Sequence, residues 1–237
     1  MDSLSFAYVC GYTLSSDFPT ENPFQGINAG NYDAFVSKLS ATGSSLIYST
    51  YLGGGNEDKG YGIALSDDLA YLTGYTYSID FPTENPFQGT NAGNSDAFVS
   101  KLSSTGSSLI YSTYLGGEFF DGGQGITLSG DSAYLTGDTY SSDFPTKDPY
   151  QGTNAGNGDA FVSRLSSTGS YLIYSTYLGG VNDDYGRGIA LSSGSAYLIG
   201  YTSSPDFPTE NPYQGANAGI EDAFVSKLSS TGSSLIY

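Results

Sequence analysis

The sequence contains no histidine and only one cysteine, Cys10, among its 237 residues. Catalytic Ser-His-Asp and Cys-His arrangements therefore cannot form within the chain, and a zinc site would lack its usual ligands. A single cysteine excludes an intrachain disulfide. We expect Cys10 to be a buried thiol, because no histidine is present to activate it. These absences predict that the protein is not an enzyme.

Basic residues and long apolar runs are also scarce. Seven lysines and arginines stand against 24 aspartates and glutamates, which gives a formal net charge of −17. This balance argues against nucleic acid and anionic membrane surfaces as partners. No run of about 18 apolar residues occurs, so no membrane span is predicted. No basic leader is visible at the start, and we expect any signal peptide to lie upstream in a longer parent chain.

The residues that are present favour a folded protein. Only 13% are charged, whereas 38% are hydrophobic and 15% are aromatic, so the chain can form a core despite its acidity. The polar surface must consist mainly of Ser, Thr, Asn, Gly and Tyr hydroxyl groups. Because this composition is typical of extracellular and cell-surface proteins, we predict that location.

One motif recurs at a constant spacing. It reads DAFVSKLS or DAFVSRLS, and each copy starts 63 residues after the previous one, at positions 33, 96, 159 and 222. A fixed period indicates a repeat architecture. We therefore predict a single repeat domain over residues 1–237, with units at approximately 1–54, 55–117, 118–180 and 181–237.

Each period contains four short runs rich in β-branched and aromatic residues, separated by turn residues, which predicts four strands. Antiparallel four-stranded units in series are typical of β-propeller blades, and a solenoid is the alternative. The predicted fold class is all-β: a propeller-type array of about four four-stranded antiparallel blades, with incomplete N- and C-terminal blades. In one blade the strands from the innermost outwards are a (62–66), b (70–76), c (96–103) and d (109–115).

The motifs also resemble a known family. The run YSTYLGG…GYGIALS…AYLTGYT…DFPTENPFQGTNAG…DAFVSKLSSTG is similar to the bacterial β-propeller repeat abbreviated SBBP, and the resemblance covers essentially the whole chain. It implies a propeller-type fold in secreted or surface proteins. It implies no activity.

A long connection between strands b and c, roughly residues 77–95, recurs in every repeat and carries motifs such as DFPTENPFQG. One interpretation is a self-packed Ω-like loop whose phenylalanine pins it onto the blade. The other is a ligand or partner surface to which one glutamine per repeat offers amide contacts. These candidate ligand-binding residues are Gln25, Gln88, Gln151 and Gln214.

The connection between strands d and a is rich in glycine and acidic residues, as in GGGNEDKGYG at 53–62. Asp58, Asp121 and Asp184 share one register and are predicted to encircle the mouth of a channel lined by strand a. Carboxylates on glycine-rich turns are ligands for hard cations, so Ca²⁺ is a possible cofactor. The alternative is that each aspartate closes its own loop. The candidate ligand-binding residues of this loop are Asn56, Glu57, Asp58, Asp121, Asn182, Asp183 and Asp184.

Three further sets of side chains recur once per repeat. We expect the aspartates that precede strand c to bond the incoming loop: Asp33, Asp96, Asp159 and Asp222. We expect the basic residues within strand c to be solvated or paired with acids: Lys38, Lys101, Arg164 and Lys227. The tyrosines, such as Tyr48, Tyr51 and Tyr71, are predicted to pack between blades.

These features favour a secreted or cell-surface structural or interaction protein. The alternative is a lectin-like carbohydrate-binding module that uses the b–c and d–a loops, with or without Ca²⁺. Carboxylate pairs can hydrolyse glycosides. However, acids that repeat at equivalent positions suit multivalent binding better than catalysis.

The two ends of the sequence do not complete a period. Tyr237 aligns with Tyr48 in strand d and Met1 with Ala64 in strand a, so the equivalent of residues 49–63 is missing. Incomplete blades expose strand edges, and we predict that the ends meet copies of the same chain. The result would be a larger closed ring or an open head-to-tail polymer. The alternatives are a four-bladed monomer in which Asp2–Ser5 serves as a short strand a, or a fragment of a longer array.

Overall fold

The computed structural model describes residues 6–237, which form strands, turns and loops with no helix. Accordingly, no helix in this range could cross a membrane. The strands are β1 (Ala7–Thr13), β2 (Asp33–Leu39), β3 (Leu46–Leu52), β4 (Asp58–Ser66), β5 (Leu69–Thr76), β6 (Asp96–Leu102), β7 (Leu109–Leu115), β8 (Asp121–Ser129), β9 (Ser132–Thr139), β10 (Asp159–Leu165), β11 (Leu172–Leu178), β12 (Asp184–Ser192), β13 (Ser195–Thr202) and β14 (Asp222–Leu228).

These strands form four antiparallel sheets, each following chain order. We call them blade 1 (β1–β3), blade 2 (β4–β7), blade 3 (β8–β11) and blade 4 (β12–β14). Blades 2 and 3 have four strands, a to d, whereas blade 1 shows b, c and d, and blade 4 shows a, b and c. The predicted all-β array of propeller-like blades is therefore confirmed, and among the described residues the first and last blades have three strands each. The alternative strand a at Asp2–Ser5 lies outside the described residues.

Strand a is longer than predicted, because it begins at Asp58 rather than at Gly62. The extra residues pair with β5 across a bulge between Gly60 and Gly62. The bulge needs a close backbone approach, since a Cβ on Gly74 would collide with the carbonyl oxygen of Lys59. Asp, Lys and Gly have low strand propensity, so the sequence alone placed these residues in the d–a loop.

Each blade buries its faces against its neighbours. Three apolar clusters join blades 1 and 2, blades 2 and 3, and blades 3 and 4. In the first cluster the strand-c residue Val36 and the strand-b residue Leu72 of the next blade are both fully buried. The predicted packing of tyrosines between blades is confirmed by Tyr48 of blade 1, which is fully buried in the cluster shared with blade 2 and whose ring lies against Gly106 of that blade.

Cys10 packs against the same cluster, as expected for a thiol that acts as a small hydrophobic group, but it is half-buried rather than buried. In blade 1 the described residues include no strand beyond β1, which leaves the β1 side of the sheet less covered than in blades 2 and 3. Burial raises the pKa of the Cys10 thiol above its usual value. A raised pKa lowers the thiolate fraction and hence the reactivity.

A polar clamp also joins neighbouring blades. Lys38 Nζ lies 3.2 Å from Asp68 Oδ1 of the next blade, and the Tyr8 hydroxyl donates to the same oxygen at 3.0 Å. Lys101 and Tyr71 hold Asp131 in the same way, at 3.5 and 2.9 Å. For these two lysines the acid pairing is confirmed. They are not solvated, since Lys38 and Lys101 are each only 5% exposed.

We expect the Asp131→Ala substitution to weaken the joint between blades 2 and 3. It removes the acceptor of the Tyr71 hydroxyl and the partner of a buried ammonium group. Because Asp131 itself is half exposed, water replaces part of the loss, and the free energy of unfolding should fall by about 1 kcal/mol. For a protein of this size that lowers Tm by about 2–4 °C. Thermal melting measures it, with exposed Glu118→Ala as the control; equal melting of the two variants would contradict the clamp.

Candidate functional site

The b–c and d–a loops lie together at one end of the blades, as predicted. The Gly55 amide donates to Asp80 Oδ1 at 2.9 Å, and the Asn56 amide donates to Ser78 Oγ at 2.9 Å. The b–c loop of the preceding blade contacts the same d–a loop, since the Asn31 amide donates to the Asn56 carbonyl at 3.1 Å. The two sets of candidate residues therefore belong to a single surface, which we call the loop face.

The candidate glutamines are used inside the loop face. The Gln25 amide nitrogen donates to Asp33 Oδ2 at 2.7 Å and to the Ile27 carbonyl at 3.0 Å, while its oxygen accepts from the Gly53 amide at 3.0 Å. Gln88 and Gln151 repeat this arrangement. The geometry matches the self-packed Ω-like interpretation, because these amides satisfy the loop rather than face solvent.

The b–c loop is also held by strand d, which runs between that loop and strand c. In blade 2, Ser112 exchanges two backbone hydrogen bonds with Glu84, at 2.8 and 3.0 Å. The Tyr114 hydroxyl donates to the Ser78 carbonyl at 2.8 Å and accepts from the Phe81 amide at 3.0 Å. Phe81 itself is buried against Phe98, 4.6 Å away between ring centroids. Strand d thus fastens the loop to the blade.

The aligned aspartates of the d–a loop are fully buried, so the prediction that they encircle an open channel mouth is wrong. Asp58 is the first residue of strand a, and its Oδ2 accepts from the Gly54 amide at 2.7 Å and from the Ser78 hydroxyl at 2.9 Å. Asp121 and Asp184 make the same contacts one and two periods later. This is the loop-closing role that the sequence left as the alternative.

Each of these aspartates has a second buried aspartate beside it. Asp33 Oδ1 and Asp58 Oδ2 both lie 2.7 Å from the point that a Cβ on Gly53 would occupy, so only glycine fits between them. Asp33 Oδ2 accepts from Gln25 and from the Ala29 amide, as predicted for a loop-bonding residue. The Oδ1 atoms of both aspartates are buried without a hydrogen-bond partner among the described residues. The same pairing recurs for Asp96 with Asp121 and for Asp159 with Asp184.

Burial makes the carboxyl groups of these pairs weaker acids than ordinary aspartates. It raises the pKa of Asp58 to about 6, and the nearby charge of Asp33 adds to the rise. The pKa of Asp96 rises to about 6 and those of Asp121 and Asp159 to about 7, again mainly through burial. These carboxyl groups therefore keep their protons to a higher pH than ordinary aspartates do, and a nearby cation would stabilise their ionised form. The described residues include no group of three or more His, Cys, Asp or Glu side chains placed to hold a metal, so a Ca²⁺ ion here would also need backbone oxygens or water.

The other candidate residues lie towards the rim of the loop face. Glu57 pairs with Lys59 at 2.8 Å, and this bond keeps the pKa of Glu57 below its usual value. The side-chain amides of Asn56 and Asn182 donate to backbone carbonyls of the b–c loop, at 3.3 and 3.0 Å. Asp183 lines a shallow cleft beside Phe119 and Tyr140.

Sequence reasoning missed the pairing of the aspartates, although a signal was present. Asp33 and Asp58 stand the same distance apart in the sequence as Asp96 and Asp121 or Asp159 and Asp184. A constant separation between two acids in each repeat is compatible with a fixed contact. Only the fold could reveal that both of them lie inside the blade.

The family comparison bears on the strands that carry this site. Residues 173–208 match the family model described as a beta-propeller repeat, SBBP. The chain carries an SBBP repeat. The matched segment covers nearly all of β11, then β12 and β13, and it includes Gly179, Asp184 and Ser204 of the buried aspartate arrangement. The resemblance inferred from the sequence is thus confirmed for residues 173–208, and Gly179 and Asp184 of the loop face belong to the matched repeat.

Solved structures show only distant similarity. The computationally designed Ika8 protein is 7% identical with a TM-score of 0.40, covering 87% of this chain and 45% of that one. The designed Ika4 protein is 7% identical with a TM-score of 0.38, covering 81% and 83%. Hydrazine synthase of Kuenenia stuttgartiensis is 9% identical with a TM-score of 0.38, covering 89% and 64%. The chain spans less than two thirds of the length of the first and third of these, and no curated protein matches it.

The buried aspartates predict that stability falls as the pH rises. Their folded-state pKa values of about 6 to 7 exceed the value of about 4 in an unfolded chain, so the folded state binds more protons between these values. Stability from this source is complete below about pH 4 and is lost as the pH rises through 6 to 7. We expect Tm to be lower at pH 8 than at pH 5. The Asp121→Asn variant keeps an acceptor for Gly117 and Ser141 but cannot ionise. Between pH 5 and pH 8 its Tm should therefore fall less than that of the wild type. Asp17→Asn removes the same charge at an exposed residue and is the control. If Tm changed with pH equally in Asp121→Asn and in this control, the pH dependence would not arise from Asp121.

Proposed function

We propose that the protein is a non-enzymatic structural or interaction protein whose blades stack head to tail with those of other copies. The observation that carries this proposal is the exposure of two complementary apolar faces. Val225 of blade 4 is 60% exposed, although its counterparts Val36, Val99 and Val162 are fully buried. Val9 of blade 1 is 44% exposed, although its counterparts Leu72, Leu135 and Leu198 are fully buried.

These two faces are the two halves of one interface type. In all three internal joints the strand-c valine of one blade and the strand-b leucine of the next lie in one cluster. The face around Val225 therefore has the shape that the face around Val9 would cover in a second copy. A contact between unlike faces is heterologous, so it builds a closed ring or an open filament rather than a two-fold dimer.

Two further features support a structural role. The carboxyl pairs are buried, so they are poorly placed to reach a substrate, and the repeated loops offer no single distinct site. The loop amides that a lectin-like module would use bond within the loops. We therefore favour the structural role over carbohydrate binding, and on composition we place the protein outside the cell or at its surface.

We expect light scattering to show association of the wild-type chain. The mass of the 24.8 kDa chain should rise with concentration, and more so with added salt, because salt screens repulsion between copies of net charge −17. Val9→Asp and Val225→Asp each bury a charge in the contact and should remain monomeric. Mixed together, these variants should form a dimer, because each keeps the face that the other lacks.

The matched control is Ile79→Asp, which adds the same charge at a loop residue that is 80% exposed. This variant should associate like the wild type. A wild-type chain that stays monomeric at high concentration would overturn the proposal, as would a mixture of the two valine variants that fails to pair.

Calcium binding at the aspartate pairs is a separate proposal, supported by the unpartnered Oδ1 atoms of Asp58, Asp121 and Asp184. A cation that binds only the folded state at 100 times its Kd adds about 2.7 kcal/mol. At pH 8 we expect millimolar Ca²⁺ to raise Tm relative to EDTA, and the rise to be smaller in Asp121→Asn than in Asp17→Asn. Superimposable melting curves would leave these aspartates with the loop-closing role alone.

A further inference from the structure

A groove of about 460 Å³ runs along the outer edge of blade 4. It lies between β14 and the loop that follows β13, and its lining includes Ser204, Phe207, Gln214, Phe224 and Tyr237. In blades 1 to 3 the corresponding space holds strand d. The molecule therefore contains three examples of a strand d that fits a groove of this shape.

In blade 2 the occupant of this space is anchored by Tyr114. Its amide donates to the Gln88 carbonyl at 3.2 Å, and its hydroxyl joins Ser78 to Phe81. Two residues further along, the Gly116 amide donates to the Gln88 side-chain oxygen at 3.1 Å. Tyr51 of blade 1 and Tyr177 of blade 3 make the equivalent contacts. The occupant has the same sequence each time, Ser-Thr-Tyr-Leu-Gly-Gly, at 49–54, 112–117 and 175–180.

Blade 4 presents the same partners two periods after blade 2. Ser204, Phe207 and Gln214 stand at the positions of Ser78, Phe81 and Gln88. The Gln214 amide nitrogen is already fixed by Asp222 Oδ2 at 2.6 Å, as its counterparts are in the other blades, so its oxygen is oriented for a glycine amide. This side of the groove is therefore preorganised, which reduces the entropy lost on binding.

The opposite side of the groove is the edge of β14. Tyr237 lies at the start of the strand-d position beside β14. The Lys227 backbone amide donates to the Tyr237 carbonyl at 2.9 Å, and the Lys227 carbonyl accepts from the Ile236 amide at 2.7 Å. Backbone groups of alternate residues point to the same side of a strand, so Val225 and Ala223 present theirs to the groove. A strand placed here would gain hydrogen bonds on both of its edges.

We propose that this groove binds an extended Ser-Thr-Tyr-Leu-Gly-Gly segment as the outer strand of blade 4. The segment is supplied by a repeat whose own blade does not hold it, because the three such segments of this chain are already seated in blades 1 to 3. This is β-strand addition, in which backbone bonds give affinity and side-chain pockets give specificity. The tyrosine reaches Ser204 and Phe207, and the first glycine is required because a Cβ at this position collides with the aspartate that begins strand c. The inference rests on the proposed assembly, since it names what an incomplete terminal blade accepts.

The test is fluorescence anisotropy of the peptide Ser-Thr-Tyr-Leu-Gly-Gly, labelled at its C-terminus, with the wild-type 237-residue chain. We expect saturable binding. The peptide with Tyr→Ala, and the peptide N-methylated at the tyrosine amide, should each bind at least about tenfold more weakly, because each loses buried contacts worth more than about 1.4 kcal/mol. A chain extended after Tyr237 by the same six residues fills the groove itself, and should bind no peptide and melt at a higher temperature.

Light scattering on the same samples separates this inference from the proposed function. Peptide binding to a chain that stays monomeric supports the groove and overturns head-to-tail association. Association without peptide binding supports the stacking of blades and overturns the groove. Binding that is equal for the three peptides, or that persists in the extended chain, also overturns the groove, because it does not depend on strand addition.

Discussion

A blade of this protein is a sheet with two apolar faces, and no blade can cover both by itself. Val36 and Leu72 become fully buried only because two blades meet, and each large buried side chain contributes roughly 1.5–3 kcal/mol through removal from water. Most of the stability therefore lies between blades rather than within them. Over residues 6–237 the main contacts between sheets join neighbouring blades, so the array behaves as a one-dimensional stack. The exposure of Val9 and Val225 at its two ends follows directly from that constraint.

The loop face is built on a second constraint, the close approach of two carboxyl groups around a glycine. Burying Asp33 and Asp58 side by side opposes folding near neutral pH, as the raised pKa of both groups indicates. In return, their oxygens accept from the amides of Gly54 and Ala29 and from Ser78 and Gln25. Buried polar networks of this kind fix one arrangement among many. The aspartates thus define the shape of two long loops that have little apolar surface of their own.

Much of the fold could be predicted from the sequence, because the repeat shows every strand several times and because β-branched and aromatic runs mark them clearly. The start of strand a could not, since Asp58, Lys59 and Gly60 are poor strand formers that pair only through a bulge. The candidate site was harder to predict from the sequence. Charged residues are expected at the surface, so the sequence favours a channel mouth for Asp58 and leaves Lys38 either solvated or paired with an acid. Only tertiary packing shows both to be buried. The sequence leaves open whether the glutamines bond their own loop or a ligand, because the partner of Gln25, Asp33, comes close only when the loop folds back.

Small differences between repeats have larger consequences than the shared sequence does. Asp68 and Asp131 clamp the first two joints, but the third repeat has Gly194 at this position. Arg164 lies over the Tyr134 ring at 4.9 Å, and its buried Nε has no hydrogen-bond partner among the described residues. The joint between blades 3 and 4 therefore lacks an interaction that the other two possess. That joint has contacts of its own, since Arg187 lies 3.9 Å from Asp138 and the Tyr140 and Tyr185 hydroxyl groups are 2.6 Å apart. In a linear stack the terminal unit has one neighbour, so blade 4 combines a joint without the lysine clamp with an open face and an open groove. Whatever covers that face and groove stabilises blade 4, which couples assembly to the order of the C-terminal end.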